Sequence, residues 1–192
     1  MIYFTSDPHI GHANIIKYCQ RPFKDVQEMD EILIKNWNSV VQPGDITYVV
    51  GDLCLARPEY GISRIRRMNG QKILIEGNHD NDKGCLDNQE FRDLFTEIHP
   101  ILEIEVPDKD AFNGKHQRIT LCHFAMRVWN KSHRGAWHLY GHSHGTLPDD
   151  PNMLSMDVGA DVHNYTPISY NQVKALMKKK TWKAVDHHGE RE

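Results

Sequence analysis

Five short apolar runs in this chain each stop at Asp, Asn or His, and that repeated ending constrains the fold more than any other feature. Ile2-Tyr3-Phe4 leads to Asp7 and His9, Ile46 to Val50 leads to Gly51-Asp52, and Ile73-Leu74-Ile75 leads to Gly77-Asn78-His79-Asp80. Ile119 to Cys122 leads to His123, and Leu139-Tyr140 leads to Gly141-His142-Ser143-His144. A strand that ends where a carboxylate, amide or imidazole begins is how an α/β sheet brings side chains from distant sequence positions into one crevice. The pattern predicts an α/β fold with its function at the strand ends.

Helical periodicity fills the gaps between these runs. Asn14 to Cys19 reads as a short helix closed by Arg21-Pro22. Asp25 is an N-cap with Glu28 three residues on, and Val26, Met29, Ile32, Leu33, Trp37, Val40 and Val41 form an apolar stripe until Pro43-Gly44 stops it. Pro58 opens a crossover helix in which Ile62, Ile65 and Met68 face one way, with Gly70 as its stop signal. Arg64, Arg66 and Arg67 on that helix read as a solvated face, because no matching basic run exists elsewhere. Gln89 to Ile98 is expected to be another helix, and Ile101 to Val106 with Gln117 to Cys122 a long hairpin. Leu154 to Val158 is a further strand, and Ser169 with Gln172 caps a last helix that Lys178, Lys179 and Lys180 close as a solvated end. The order predicts one layered α/β domain over residues 1–192 with a mixed sheet or sheets.

Composition narrows the class. A formal charge of -3 argues against a protein that holds nucleic acid by a broad positive field. Cys19, Cys54, Cys85 and Cys122 are dispersed with no C-x-x-C pair, which fits a reducing cytoplasm, and no apolar run approaches the roughly 20 residues that span a bilayer. Cys54 and Cys122, beside the motifs, read as small core residues. Of the 13 histidines, His187 and His188 read as surface residues.

The motif residues have the chemistry of metal ligands. Asp7 and His9, two apart, leave on one face if the backbone stays extended through Pro8, and the same holds for His142 and His144. Each fragment alone is weak, since Asp-Pro and Gly-Asp are also common turns. Together, the carboxylate of Asp52 can bridge two ions, Asn78 is a neutral oxygen donor beside stronger ligands, and Gly77 permits a sharp exit from its strand. His123 completes a set without thiolate, which favours manganese, iron or zinc. Four histidines and three oxygen donors are too many for one tetrahedral structural ion, and two divalent ions account for the number.

Asp7-x-His9, Gly51-Asp52, Gly77-Asn78-His79-Asp80, His123 and Gly141-His142-x-His144 resemble, in order, the motif series of the calcineurin-like metallophosphoesterases, over residues 7 to 144. The chain is also similar to their compact single-domain bacterial and phage subgroup, through Gly11-His12-x-Asn14-Ile15-Ile16 and a tryptophan-bearing stretch before the last motif. The resemblance implies a calcineurin-like sandwich of two mixed sheets flanked by helices. It implies that Asp7, His9, Asp52 and His144 hold one ion while Asp52, Asn78, His123 and His142 hold the other, with Asp52 bridging and a shared hydroxide attacking phosphorus. It also implies that His79 contacts the phosphate or protonates the leaving oxygen, with Asp80 orienting its imidazole. Phosphodiester and phosphomonoester hydrolysis both stay open, with a nucleotide-type substrate slightly favoured by the absence of an obvious cap domain. A non-catalytic metal-binding scaffold and a nuclease acting on polynucleotide are the rivals; no protein partner is implied.

His12, Arg21 and Arg57 lie close to the motifs and are candidates to reach a second phosphate oxygen or a nucleoside. Phe124-Ala125-Met126-Arg127-Val128-Trp129, followed by Lys131, His133, Arg134 and Trp137, interleaves aromatic and cationic residues in a way that suits stacking on a base, although at least one of the two tryptophans is expected to pack a core or loop.

Overall fold

The computed structural model describes residues 1–184; His187 and His188 lie outside the described residues. The chain runs β1 (Ile2–Thr5), α1 (Ile15–Tyr18), α2 (Val26–Val40), β2 (Ile46–Val50), α3 (Pro58–Ile65), β3 (Gln71–Ile75), α4 (Gln89–Arg92) and β4 (Glu97–His99). It continues through β5 (Leu102–Pro107), β6 (His116–Leu121), a 3-10 turn at Ser132–Arg134, β7 (Trp137–Tyr140), β8 (Ser155–Asp157), β9 (Ile168–Ser169) and α5 (Tyr170–Met177).

Two mixed sheets result. The first has the order β4-β3-β2-β1-β9, parallel except where β9 meets β1. The second has the order β5-β6-β7-β8, with an antiparallel β5–β6 hairpin and parallel pairs beyond it. Register puts the strand ends in rows: Thr5 lies opposite Val49, Val50 opposite Ile75, and Leu121 opposite Leu139. The residues that follow each strand therefore emerge along one edge. A parallel bridge between Ser6 and Gly159 joins the two sheets at that edge.

Successive side chains of a strand face opposite ways, and the first sheet uses both faces. Tyr3, Val49 and Leu74 pack into a core with Met29, Leu33, Trp37 and Ile65 of α2 and α3, while Phe4, Val50 and Ile75 face the second sheet and meet Ile119, Leu121, Leu139 and Val173. Near-continuous apolar runs are what strands buried on both faces require. The outer face of the second sheet is covered by the segment after β6, where Trp129 packs against His138 and donates its indole N–H to Ala136. Trp129 and Trp137 are both buried.

The expected caps are present: Asp25 accepts from the Glu28 N–H, and Ser169 and Gln172 form a reciprocal capping box. The arginines of the α3 region meet acids: Arg66 pairs with Glu90 and Arg67 with Glu31, while Arg64 lies over Tyr60. At the end of α5, Lys178 pairs with Asp110 and Lys180 with Asp149. The expected helix over Gln89–Ile98 is corrected. Phe91, Leu94, Phe95 and Ile98 have helical spacing, yet the helix ends at Arg92, because Ile98 pairs with Leu74 on the open edge of β3 and Thr96 donates its N–H to the Lys72 carbonyl. Among the described residues no helix is long and apolar enough to cross a membrane. All four cysteines are free, and Cys54 and Cys122 are buried.

Lys72, on β3, is buried, with its ammonium donating to the carbonyls of Met68 and Gly70. Burial pushes its pKa down from 10.5 to about 8. Between those values the unfolded chain binds the proton that the folded chain has lost, so folding stability gains as pH rises through this window. Urea midpoints of the wild type, measured relative to Lys72→Met, are expected to rise between about pH 8 and 10; a gap that stays constant would show that Lys72 keeps an ordinary pKa.

Candidate metal centre

The motif residues do not continue their strands. Asp7, His9, Asp52, His142 and His144 have φ of 57°, 55°, 54°, 64° and 47°, the left-handed region that non-glycine residues avoid. The expected extended geometry of Asp7-Pro8-His9 and His142-Ser143-His144 is thereby corrected: the side chains converge because each loop turns sharply. A residue held this way costs on the order of 1 kcal/mol or more and persists where its surroundings over-determine it. Here they do. The Asp7 N–H donates to Gly51, the His9 N–H to Asp52, and the His142 N–H to Asp7 Oδ2 at 3.0, 3.1 and 2.9 Å. The glycines of the motifs serve close approach. A Cβ on Gly77 would lie 2.2 Å from Asp52 Oδ1, and one on Gly141 would lie 1.8 Å from Ser6 Oγ.

All seven sequence-predicted ligands meet. Asp7 Oδ1 lies 3.7 Å from His9 Nε2 and 3.8 Å from His144 Nε2. Asp52 Oδ2 stands between two halves, 3.7 Å from His9 Nε2 and 3.5 Å from His123 Nε2. Asn78 Oδ1 is 3.1 Å from His123 Nε2 and 3.0 Å from His142 Nδ1. Asp7, His9 and His144 form one group whose ligand atoms could share an ion, and Asp7, Asp52 and His123 form a second. A third, Cys19, His144 and Asp161, has its carboxylate already committed to the Arg21 guanidinium, so a cation there would face a fixed positive charge.

The electrostatics follow from burial. Asp7, His9, Asp52 and His123 are at most 2% exposed. Burial pulls the His9 pKa down despite its neighbouring carboxylates. Burial also opposes charge on His123, but the hydrogen bond to Asp52 and the charges of Asp7 and Asp52 prevail and push it up to about 9. Burial disfavours the Asp52 carboxylate, which the His123 contact nevertheless lowers. Two buried polar atoms, Asp7 Oδ1 and His9 Nε2, find no hydrogen-bond partner. Unpaired buried groups are rare and costly, and a carboxylate oxygen and an imidazole nitrogen aimed at each other at 3.7 Å suit a shared cation.

Several roles differ from expectation. Asp80 does not orient His79: its buried carboxylate accepts the backbone N–H groups of Asp52, Leu53 and Gly77 at 2.9, 2.9 and 2.8 Å, and burial raises its pKa to about 6. The partner of His79 is Asp82, whose Oδ2 lies 2.6 Å from Nδ1. Arg21 is not a substrate residue, because its buried guanidinium makes a two-pronged pair with Asp161 and donates to the Asp7 and Pro8 carbonyls. Arg57 is exposed at the start of α3 and does not line the crevice beside the cluster. His12 does line it, with Nδ1 3.4 Å from that of His9.

Sequence reasoning missed Asp161 and Asp82. Asp161 accepts from His144 Nδ1 at 2.8 Å and from Arg21, fixing both. It follows Gly159-Ala160 just after β8, so the same rule of a strand leading to a carboxylate points to it. Asp82 carries no such signal.

A two-sheet α/β scaffold with a histidine- and carboxylate-lined edge is what these side chains define. No family model matches the chain. The uncharacterized protein MJ1445 of Methanocaldococcus jannaschii is 35% identical over 185 residues, covering 93% of this chain and 92% of that protein. The chain belongs to the same family as that protein. The gene 66 protein of Mycobacterium phage L5 is 29% identical over 166 residues, covering 76% of this chain and 78% of its own. The crystal structure of AQ665, a protein of unknown function from Aquifex aeolicus, superposes with a TM-score of 0.63 at 24% identity, covering 92% of this chain and 98% of that one, a likeness of fold.

The two carboxylates after His79 separate by experiment. Asp80→Ala strands three buried N–H groups, at about 1 kcal/mol or more each, and is expected to lower stability by roughly 3 kcal/mol. Asp82→Asn, at a half-exposed site, is expected to leave the denaturant midpoint nearly unchanged while shifting the His79 imidazole resonances in NMR. Equal stability losses for both would return Asp80 to a role at the imidazole.

Proposed function

We propose that this protein is a dinuclear metal-dependent phosphoesterase of the calcineurin-like type, hydrolysing a phosphodiester or phosphomonoester bond. The observation that carries the reading is the pair of buried, unpartnered atoms, Asp7 Oδ1 and His9 Nε2, set within a cluster of nitrogen and oxygen donors. Asp7, His9, Asp52 and His144 would hold one ion, and Asp52, Asn78, His123 and His142 the other. The sulfur-free donor set favours manganese, with iron or zinc as alternatives. When bound, such ions supply Lewis acidity toward water and phosphoryl oxygens.

The chain's own residues do the rest. The Asp52 carboxylate links the halves, with Oδ1 fixed by the His79 N–H at 2.8 Å and Oδ2 directed at His9 and His123. The Val50 carbonyl, 2.9 Å from His123 Nδ1, sets that ring so that Nε2 joins the cluster. His79, half-exposed at the mouth and held by Asp82, is the group suited to hydrogen-bond a phosphoryl oxygen or deliver a proton to the leaving oxygen. The arginines around α3 are engaged with acids or stacked on tyrosine, which lends no basic track to a polynucleotide.

Metal-stripped protein reconstituted with manganese is expected to take up about two ions per chain and to hydrolyse p-nitrophenyl phosphate esters. Asp52→Asn is expected to reduce turnover at least about 100-fold and to lower metal content. Near-normal hydrolysis by that variant at full metal content would remove the bridging role. Failure of the wild type to bind metal would overturn the reading.

A further inference from the structure

Singly exposed apolar side chains are ordinary, so position is what signifies; the described residues expose three large aromatic rings, Tyr18 and Phe112 at 72% and Phe124 at 48%. Two of them stand at the candidate centre. Tyr18, the last residue of α1, meets His12 edge-on at 6.2 Å between ring centres, and His12 in turn lies 5.3 Å from His9. Phe124 follows His123 directly and lies 4.7 Å from the His142 ring and 5.2 Å from that of His123. Tyr18 thus extends from the His9 and His144 half, and Phe124 from the His123 and His142 half, with Asp52 between them.

A crevice of about 420 Å³ opens on the first half. Tyr18, Ile15 and Leu55 supply its apolar surface and Lys83 its ammonium, whereas Phe124, His123 and His142 do not line it. The two walls are therefore separate surfaces. We propose, on the reading that this centre hydrolyses phosphate esters, that the substrate is a phosphodiester whose two organic groups lie one against Tyr18 in this crevice and one against Phe124, at least the first being planar.

Charge points the same way. A phosphomonoester presents a dianion with one organic group, and recognition of such a group favours arginine forks around its free oxygens. Here Arg21 is buried in its pairing with Asp161, Arg57 does not line the crevice, and among the described residues Lys83 is the sole lysine or arginine that does. Beyond the two ions of that reading, a single cationic side chain and two apolar walls suit a monoanion that carries two arms. Aromatic faces stack planar groups, and the volume on the Tyr18 side suits one small-molecule arm better than a length of polymer.

The test compares bis-p-nitrophenyl phosphate with p-nitrophenyl phosphate on manganese-reconstituted protein, using the wild type, Tyr18→Ala, Phe124→Ala, Tyr18→Phe and the double alanine variant. The wild type should prefer the diester at least tenfold in kcat/KM. Each alanine variant should raise KM for the diester about three- to tenfold, mainly without loss of kcat, the two effects should multiply in the double variant, and Tyr18→Phe should restore affinity. A monoester preference, or an unchanged diester KM in both single variants, overturns the proposal. If the metal-loaded wild type turns over neither ester, calorimetric binding of the diester decides: affinity lost in Tyr18→Ala and Phe124→Ala supports the two walls although the hydrolytic reading has failed, and absent or unaltered binding overturns them.

Discussion

The carboxylate of Asp7 divides its two oxygens between architecture and chemistry, and the rest of the centre depends on that division. Oδ2 accepts the Ser6 hydroxyl at 2.6 Å and the His142 N–H at 2.9 Å. The second bond fastens the end of β1 to the loop after β7, which belongs to the other sheet, while the first holds the carboxylate in place from its own neighbour. On either side, Ser6 donates its N–H to Val158 and its carbonyl accepts from Ala160, so the joint between the sheets is a short stretch of shared ladder. Oδ1 is left buried and bare, facing His9 and His144. One side chain thereby helps to join two sheets and supplies a buried carboxylate oxygen with no hydrogen-bond partner.

Around this joint the supporting carboxylates lie one layer out. Asp80 gathers three N–H groups and so fixes the turn that carries Asp52, while Asp161 grips Arg21 and His144 together. Arg21 then closes the circuit by donating to the carbonyls of Asp7 and Pro8, stabilising a loop with two left-handed residues. Buried ion pairs of this type seldom add much net stability over apolar packing, and here the Arg21–Asp161 pair aims the guanidinium at the Asp7 and Pro8 carbonyls. The strained backbone of five candidate ligands is maintained by this surrounding layer.

Much of the frame was legible because the residues that set it are periodic. The run Val26 to Val41 could only bury its stripe as a helix, and the apolar runs ending at Asp7, Asp52, Asn78, His123 and His142 could share an edge only if their strands lay in register. What was not legible depends on contacts across long sequence separations. Gln89 to Ile98 has helical spacing, but the free edge of β3 recruits Ile98 into β4, an override that no local pattern announces. Arg21 read as a candidate for a substrate oxygen because the carboxylate it pairs with lies 140 residues away. Asp80 and Asp82 differ by one turn of backbone, and only the fold decides which meets the imidazole and which meets the main chain.

The same layering explains why so little positive charge reaches the centre from arginine or lysine. Asp7 and Asp52 are both almost wholly removed from water, and two carboxylates in that setting require a counter-charge close by. Arg21 contacts the Asp7 backbone carbonyl, not its carboxylate, and spends its charge on Asp161. In the protein alone the compensation comes from the imidazoles, above all His123, whose pKa is pushed up to about 9 and whose Nε2 lies 3.5 Å from Asp52 Oδ2. A cluster built so that histidines, and no fixed cation, answer the buried negative charge is one in which the positive charge can be exchanged. Protons can leave imidazoles, whereas a guanidinium cannot give up its own. The separation of Arg21 from the carboxylates it supports is therefore the arrangement that keeps the space between Asp7, His9 and Asp52 open to a cation.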